Sequence, residues 1–186
     1  INPALIAVRY YDASNSAGAR FEAGSGSSGS LLADVTDRAT TGTGTAMDSG
    51  EAPGDRLYLG FSDIIGGIRV TVGSVSDQVS TLTVKYPTAL DTTWTDITAT
   101  DGTQTGGTTT FGQTGSITWT TPTNWIKSRL GGLDYPTALI LPNSGTINQK
   151  DAPNTEAFWI ELQWSVALGT NMEITEIWAL NRDTSR

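Results

Sequence analysis

The chain has 186 residues, enough for one full hydrophobic core or for one domain with an extended arm. It contains no Cys and no His, which excludes disulfides, thiolate or imidazole metal sites and every nucleophile–His arrangement. Its 19 acidic and 11 basic side chains give a net charge of −8, which repels phosphate backbones and argues against nucleic acid as a partner, and it has no 18-residue apolar run of the kind a helical membrane span needs.

Residues 1 to 56 differ in texture from the rest. The first residue is Ile, with no basic segment and apolar stretch ahead of it, which reads as a chain trimmed, processed or known in part. INPALIAVRYY predicts a short strand over Leu5 to Tyr11, and AGSGSSGS, 23 to 30, is a flexible Gly/Ser tract. In LLADVTDR, Ser30 is a candidate N-cap, and Leu31, Leu32 and Val35 share one side of two helical turns. TTGTGTAMDSGEAPGD, 40 to 55, is loop-like. Two readings fit this segment: an arm that packs on other chains, or an edge strand followed by a long surface loop. The expected division is an arm over 1–56 and a sandwich domain over 57–186.

From Leu57 onward the pattern alternates with period two, the mark of half-buried strands. GIRVTV turns Ile68, Val70 and Val72 one way, and STLTVKY does the same with Leu82, Val84 and Tyr86. The GSVSDQ turn between them predicts an antiparallel hairpin. GSITWT places Ile117 and Trp119 inward. NWIKSRLGG carries the one helical hint of this region, with Asn124 as cap and Gly131 as terminator. FWIELQWSV puts Phe158, Ile160, Leu162, Trp164 and Val166 on one face, with Trp159, Glu161, Gln163 and Ser165 on the other. In MEITEIWAL, Ile174 and Trp178 share one parity while Ile177 and Ala179 share the other, so the strand is apolar on both faces or carries a bulge. Several such strands between Gly/Thr/Asp turns predict an all-β, antiparallel β-sandwich of jelly-roll-like type.

Candidate chemistry is sparse. Asp91, Asp96 and Asp101, five apart, are the only candidate calcium ligands; loop aspartates also form turns by bonding nearby backbone N–H groups. Glu161 is the one candidate for a glycosidase carboxylate, and no partner stands out for it. With no activated nucleophile in view, no enzymatic activity is expected. Among six Trp, parity assigns Trp119 and Trp164 to the core, and Trp178, on the strand with apolar residues on both parities, is expected there too. Trp94 in a loop, Trp125 after a Pro turn and Trp159 on the polar parity are the candidates to face a glycan or a neighbouring subunit.

Residues 57 to 180 resemble a β-sandwich module of tailed-bacteriophage virion proteins. The matching series is LYLGF (57–61), GGIRVTV (66–72), STLTVKY (80–86), Trp94, DGT (101–103), GSITWTTPTNW (115–125) and FWIELQWSVAL (158–168). In two places the chain departs from that family: Glu161 stands where an Arg is usual, and YPTALD (86–91) lacks a Trp. The resemblance implies a non-enzymatic virion protein at the capsid or tail surface, most nearly a capsid decoration or cement protein. Its expected partners are copies of itself in a trimer or ring and other virion proteins such as the major capsid protein. A tail or fibre component, or a carbohydrate-binding module for surface glycans, is the alternative. On this reading Trp119 ends a buried strand, Pro122 turns the chain, and Trp125 folds back as a cover over the sandwich edge.

Overall fold

The computed structural model describes residues 3–11, 32–34, 45–47, 56–89, 94–130, 138–139, 156–168 and 172–181. Among them the chain forms thirteen strands and no helix. These are β1 (Leu5–Tyr11), β2 (Leu32–Asp34), β3 (Thr45–Met47), β4 (Arg56–Phe61), β5 (Gly67–Ser74), β6 (Leu82–Pro87), β7 (Trp94–Ile97), β8 (Ala99–Asp101), β9 (Gly115–Trp119), β10 (Lys127–Leu130), β11 (Ala138–Leu139), β12 (Glu156–Trp164) and β13 (Met172–Leu180).

The strands make two sheets. The larger runs β11-β10-β12-β4-β1-β2, with β6 also on β12 and β7 on β6; the smaller runs β3-β13-β5-β9-β8. All pairings between strands are antiparallel except β10 with β11. The long strands switch sheets at each step: β4 is in the larger, β5 in the smaller, β6 in the larger, β9 in the smaller, β12 in the larger and β13 in the smaller. This is a β-sandwich whose long strands alternate between its two sheets.

Alternation explains the layers. Leu57, Leu59 and Phe61 of β4 and Ile160, Leu162 and Trp164 of β12 turn toward Ile68 and Val70 of β5, Ile117 of β9 and Ile174 and Ile177 of β13, forming the main core. Transfer of such side chains from water contributes about 1.5–3 kcal/mol each. The crossing from β4 to β5 is clamped at Ile65, whose carbonyl accepts from Trp119 Nε1 and Thr121 Oγ1, both at 3.2 Å.

Four sequence expectations are corrected. GIRVTV and STLTVKY are not a hairpin: β5 pairs with β13 and β9, and β6 pairs with β12 and β7. Both have one apolar face, but those faces meet across the sandwich from opposite sheets. The helical hint in NWIKSRLGG is a strand, because pairing of Lys127 and Ser128 with Phe158 and Ala157 outweighs local propensity. Within LLADVTDR, Leu32 to Asp34 pairs with β1 as a strand, while Ser30, Leu31 and Val35 lie outside the described residues. The fourth concerns the arm, one of the two readings of residues 1–56, and touches only its first strand. Leu5 to Tyr11 lies between β2 and β4 with Val8 buried in the main core, so this part of 1–56 is an integral strand. The AGSGSSGS tract lies outside the described residues.

Candidate functional site

The outer face of the larger sheet is itself covered, and the most chemically loaded side chains lie there. Cross-strand register places Tyr58, Glu161, Lys85 and Asp96 in one row across β4, β12, β6 and β7. Glu161 is 1% exposed. The Tyr58 hydroxyl donates to its Oε2 at 3.0 Å, and Arg56 Nε lies 3.3 Å from its Oε1. Lys85 Nζ lies 3.7 Å from Asp96 Oδ1 at the solvent end of the row. Burial pushes the Glu161 carboxyl above its ordinary 4.5, against the opposing pull of Arg56, the Tyr58 hydroxyl and Lys85. Because Tyr58 and Arg56 each hold one carboxylate oxygen, Glu161 acts as a brace between β4 and β12.

The three tryptophans expected at a ligand or subunit surface divide across two sides of this sheet. Trp159, 0% exposed, belongs to the outer cluster with Ala7, Tyr58 and Ala157. Its ring edge lies over Gly60, where an added Cβ would come within 2.9 Å of Cζ3, and its Nε1 donates to the Ser128 carbonyl at 3.0 Å. Trp94 is half-buried against the same cluster, its ring 5.5 Å from that of Tyr58. Trp125, 6% exposed, belongs to the main core. It meets Tyr86 and Phe158 edge-on at 6.0 and 6.1 Å, and its Nε1 donates to the Trp159 carbonyl at 3.0 Å. Trp125 and Trp159 are therefore core side chains and form no exposed platform with Trp94. Parity identified the outward face of β12 but not that this face is covered. Trp119 and Trp164 are buried in the main core.

Trp178 reverses its assignment: it is 56% exposed and not core. Register shifts flank Ile174 on β13, and the bulge puts Ile174 and Ile177 inward together, leaving Trp178 outward beside Arg69. Its Nε1 donates to Glu176 Oε2 at 3.1 Å. The apolar residues on both parities of MEITEIWAL are the signal that could have found it.

Of the acidic residues proposed for calcium, the two described ones, Asp96 and Asp101, lie on different sheets. Asp101 Oδ1 accepts from Thr103 N at 2.9 Å and Thr103 Oγ1 at 2.5 Å, and its Oδ2 accepts from Thr110 Oγ1 at 2.5 Å. Thr103 Oγ1 in turn accepts from the Phe111 N–H at 3.0 Å. That bond helps hold the buried Phe111 at φ 54°, a left-handed conformation rare for a bulky residue. Asp101 is thus a turn former. Asp96 is exposed on β7, and Asp91 lies outside the described residues. Among the described residues, no group of three or more acidic side chains is placed to hold a metal ion.

Fold and site together define a two-sheet all-β sandwich with one braced, covered outer face and one open outer face bearing a tryptophan. No protein-family model, curated protein or solved structure matches this chain.

Proposed function

We propose that the chain is a non-enzymatic structural protein of a tailed-phage particle, a capsid decoration or cement protein in preference to a tail or fibre component. The observation that carries the structural role is the distribution of its largest side chains. Trp119, Trp125, Trp159 and Trp164 are buried in a rigid frame, while Trp178 stands on an open sheet face. Large aromatic rings at the centre of a flat surface are the usual anchors of protein contacts. The phage setting is supported by the sequence resemblance over residues 57 to 180. The mechanism is mechanical: repeated copies, joined in an oligomer and to the major capsid protein, multiply weak contacts into a shell that resists internal pressure.

Electron microscopy of the source particle tests the reading, with density expected at symmetry-related positions of full occupancy. Absence of the protein from purified particles would refute it. A glycan-binding role retains one supporting observation, the exposed Trp178 ring, since the platform of Trp94, Trp125 and Trp159 does not exist. Saturable binding on a glycan array, lost in Trp178→Ala, would establish it.

A further inference from the structure

The open face of the smaller sheet carries a charge pattern that is complementary to itself. Trp178 on β13 stands opposite Arg69 on β5, which stands opposite Ser116 on β9. Glu176, two residues before Trp178, stands opposite Thr71, so Glu176 and Arg69 are diagonal neighbours about 7–8 Å apart. Long side chains can span that separation, yet the Glu176 carboxylate is turned to Trp178 Nε1 and makes no ion pair with Arg69. Among the described residues no carboxylate lies within ion-pair distance of Arg69. Around these three the face is low: Thr100 and Thr118 are exposed and short, and Gly67 has no side chain. Trp178 is the large ring that rises from it.

From this arrangement we propose that the outer face of the smaller sheet is a two-fold contact to a second copy of the chain. An axis lying in the plane of contact and passing between Arg69 and Glu176 sets each Arg69 against the partner's Glu176 and brings the two Trp178 rings together. A two-fold contact must be self-complementary, and a patch carrying both charge signs meets that condition. The chain's net charge of −8 repels a second copy over most of its surface, so a face with an unpaired cation at its middle is where two copies can approach. The five strands of this sheet, three to nine residues long and spaced by about 4.8 Å, offer roughly 450 Å² per subunit, hence roughly 900 Å² in a pair, the size of a weak contact. The pair is accordingly weak alone and strengthened by repetition. Its purpose rests on the structural-protein reading, which it refines by naming the surface and the partner; being closed, it gives dimers where the sequence suggested trimers or rings.

Sedimentation equilibrium of the full chain over a wide concentration range tests the pair. A monomer–dimer equilibrium is expected, with dimerisation weakened roughly tenfold or more in Arg69→Glu and in Glu176→Arg, and restored toward the original strength in the double variant. Trp178→Ala should also lose it, with circular dichroism and melting temperature confirming that each variant folds. A wild-type chain that stays monomeric, a dimer indifferent to these substitutions, or a double variant no better than its parents would overturn the proposal. Glycan binding lost in Trp178→Ala by a wild-type chain that never dimerises would overturn it also and assign the face to sugar. Particle imaging separates the two ideas: a protein bound to particles as single copies overturns the pair alone, and a pairing protein absent from particles overturns the virion reading alone.

Discussion

Adding one methyl group at Gly60 should cost stability because of the ring that covers it. An alanine Cβ there meets Trp159 Cζ3 at 2.9 Å, Ala157 Cβ at 3.0 Å and Trp159 Cη2 at 3.0 Å. The indole has little room to retreat, being fully buried and bonded through Nε1 to the Ser128 carbonyl. Overpacking of this kind costs about 1–3 kcal/mol. Relief of glycine's excess chain entropy within a strand returns about 0.5–1 kcal/mol. A net loss of about 1–2 kcal/mol is expected for Gly60→Ala, seen in urea titration and as a melting temperature lower by about 2–8 °C for a chain of this size. The decisive measurement is the same substitution in Trp159→Leu, which lacks Cζ3 and Cη2. There only the Ala157 contact remains, so the entropy gain and the residual crowding should roughly cancel and Gly60→Ala should be near neutral, giving a coupling of about 1–2 kcal/mol between the two sites. An equal cost in both backgrounds would refute the reasoning, since the penalty would then come from the backbone and not from the ring.

Trp125→Ala should lose about 3–5 kcal/mol in denaturant titration through the cavity it leaves, and a change near zero would contradict its place in the main core. Glu161→Gln should alter the pH dependence of stability. The buried carboxyl keeps its proton to a higher pH in the folded chain than in the unfolded one, so folding takes up a proton in that interval. This contribution is fully present below the unfolded value and is lost as pH rises through the folded one. Unfolding free energies measured between about pH 4 and 8 should therefore favour Glu161→Gln increasingly over wild type, and parallel curves would disprove the raised carboxyl. Asp101→Ala removes the acceptor of three hydrogen bonds and should destabilise by about 3 kcal/mol, equally in calcium and in chelator. A wild-type melting temperature that rises with calcium would restore the metal reading.

The faces of the strands were legible in the sequence, and their neighbours were not. Period two shows that Val70 and Val84 point to a core, and the structure puts both there, but it carries no statement about which sheet holds each. The β-sandwich was reached from the number and spacing of strands, while the pairing of β5 with β13 depends on residues a hundred positions apart. Trp159 and Glu161 were placed correctly on the outward parity of β12. Their burial was invisible because it depends on Gly60 yielding space to the indole and on Tyr58 and Arg56 meeting the carboxylate, none of which period-two alternation encodes. Trp178 failed for another reason: with apolar residues on both parities of its strand, period two does not choose a face, and the bulge turns Trp178 outward.

The alternation of successive strands between sheets fixes when this molecule can come into being. β12 fills the centre of the larger sheet, with β4 on one edge and β6 and β10 on the other, and β13 seals β5 in the smaller one. Until residues 156 to 180 arrive, β4 and β5 each have an open edge and the apolar faces of both layers have no complete opposing wall. At about 5–20 residues per second, the hundred residues between β4 and β12 take roughly 5–20 s to be made. For that interval the nascent chain is a set of strands awaiting distant partners, the condition in which pairing is slow and wrong edges can join. Both sheets are completed only by the last two long strands, so no shorter N-terminal piece of the chain carries either layer whole.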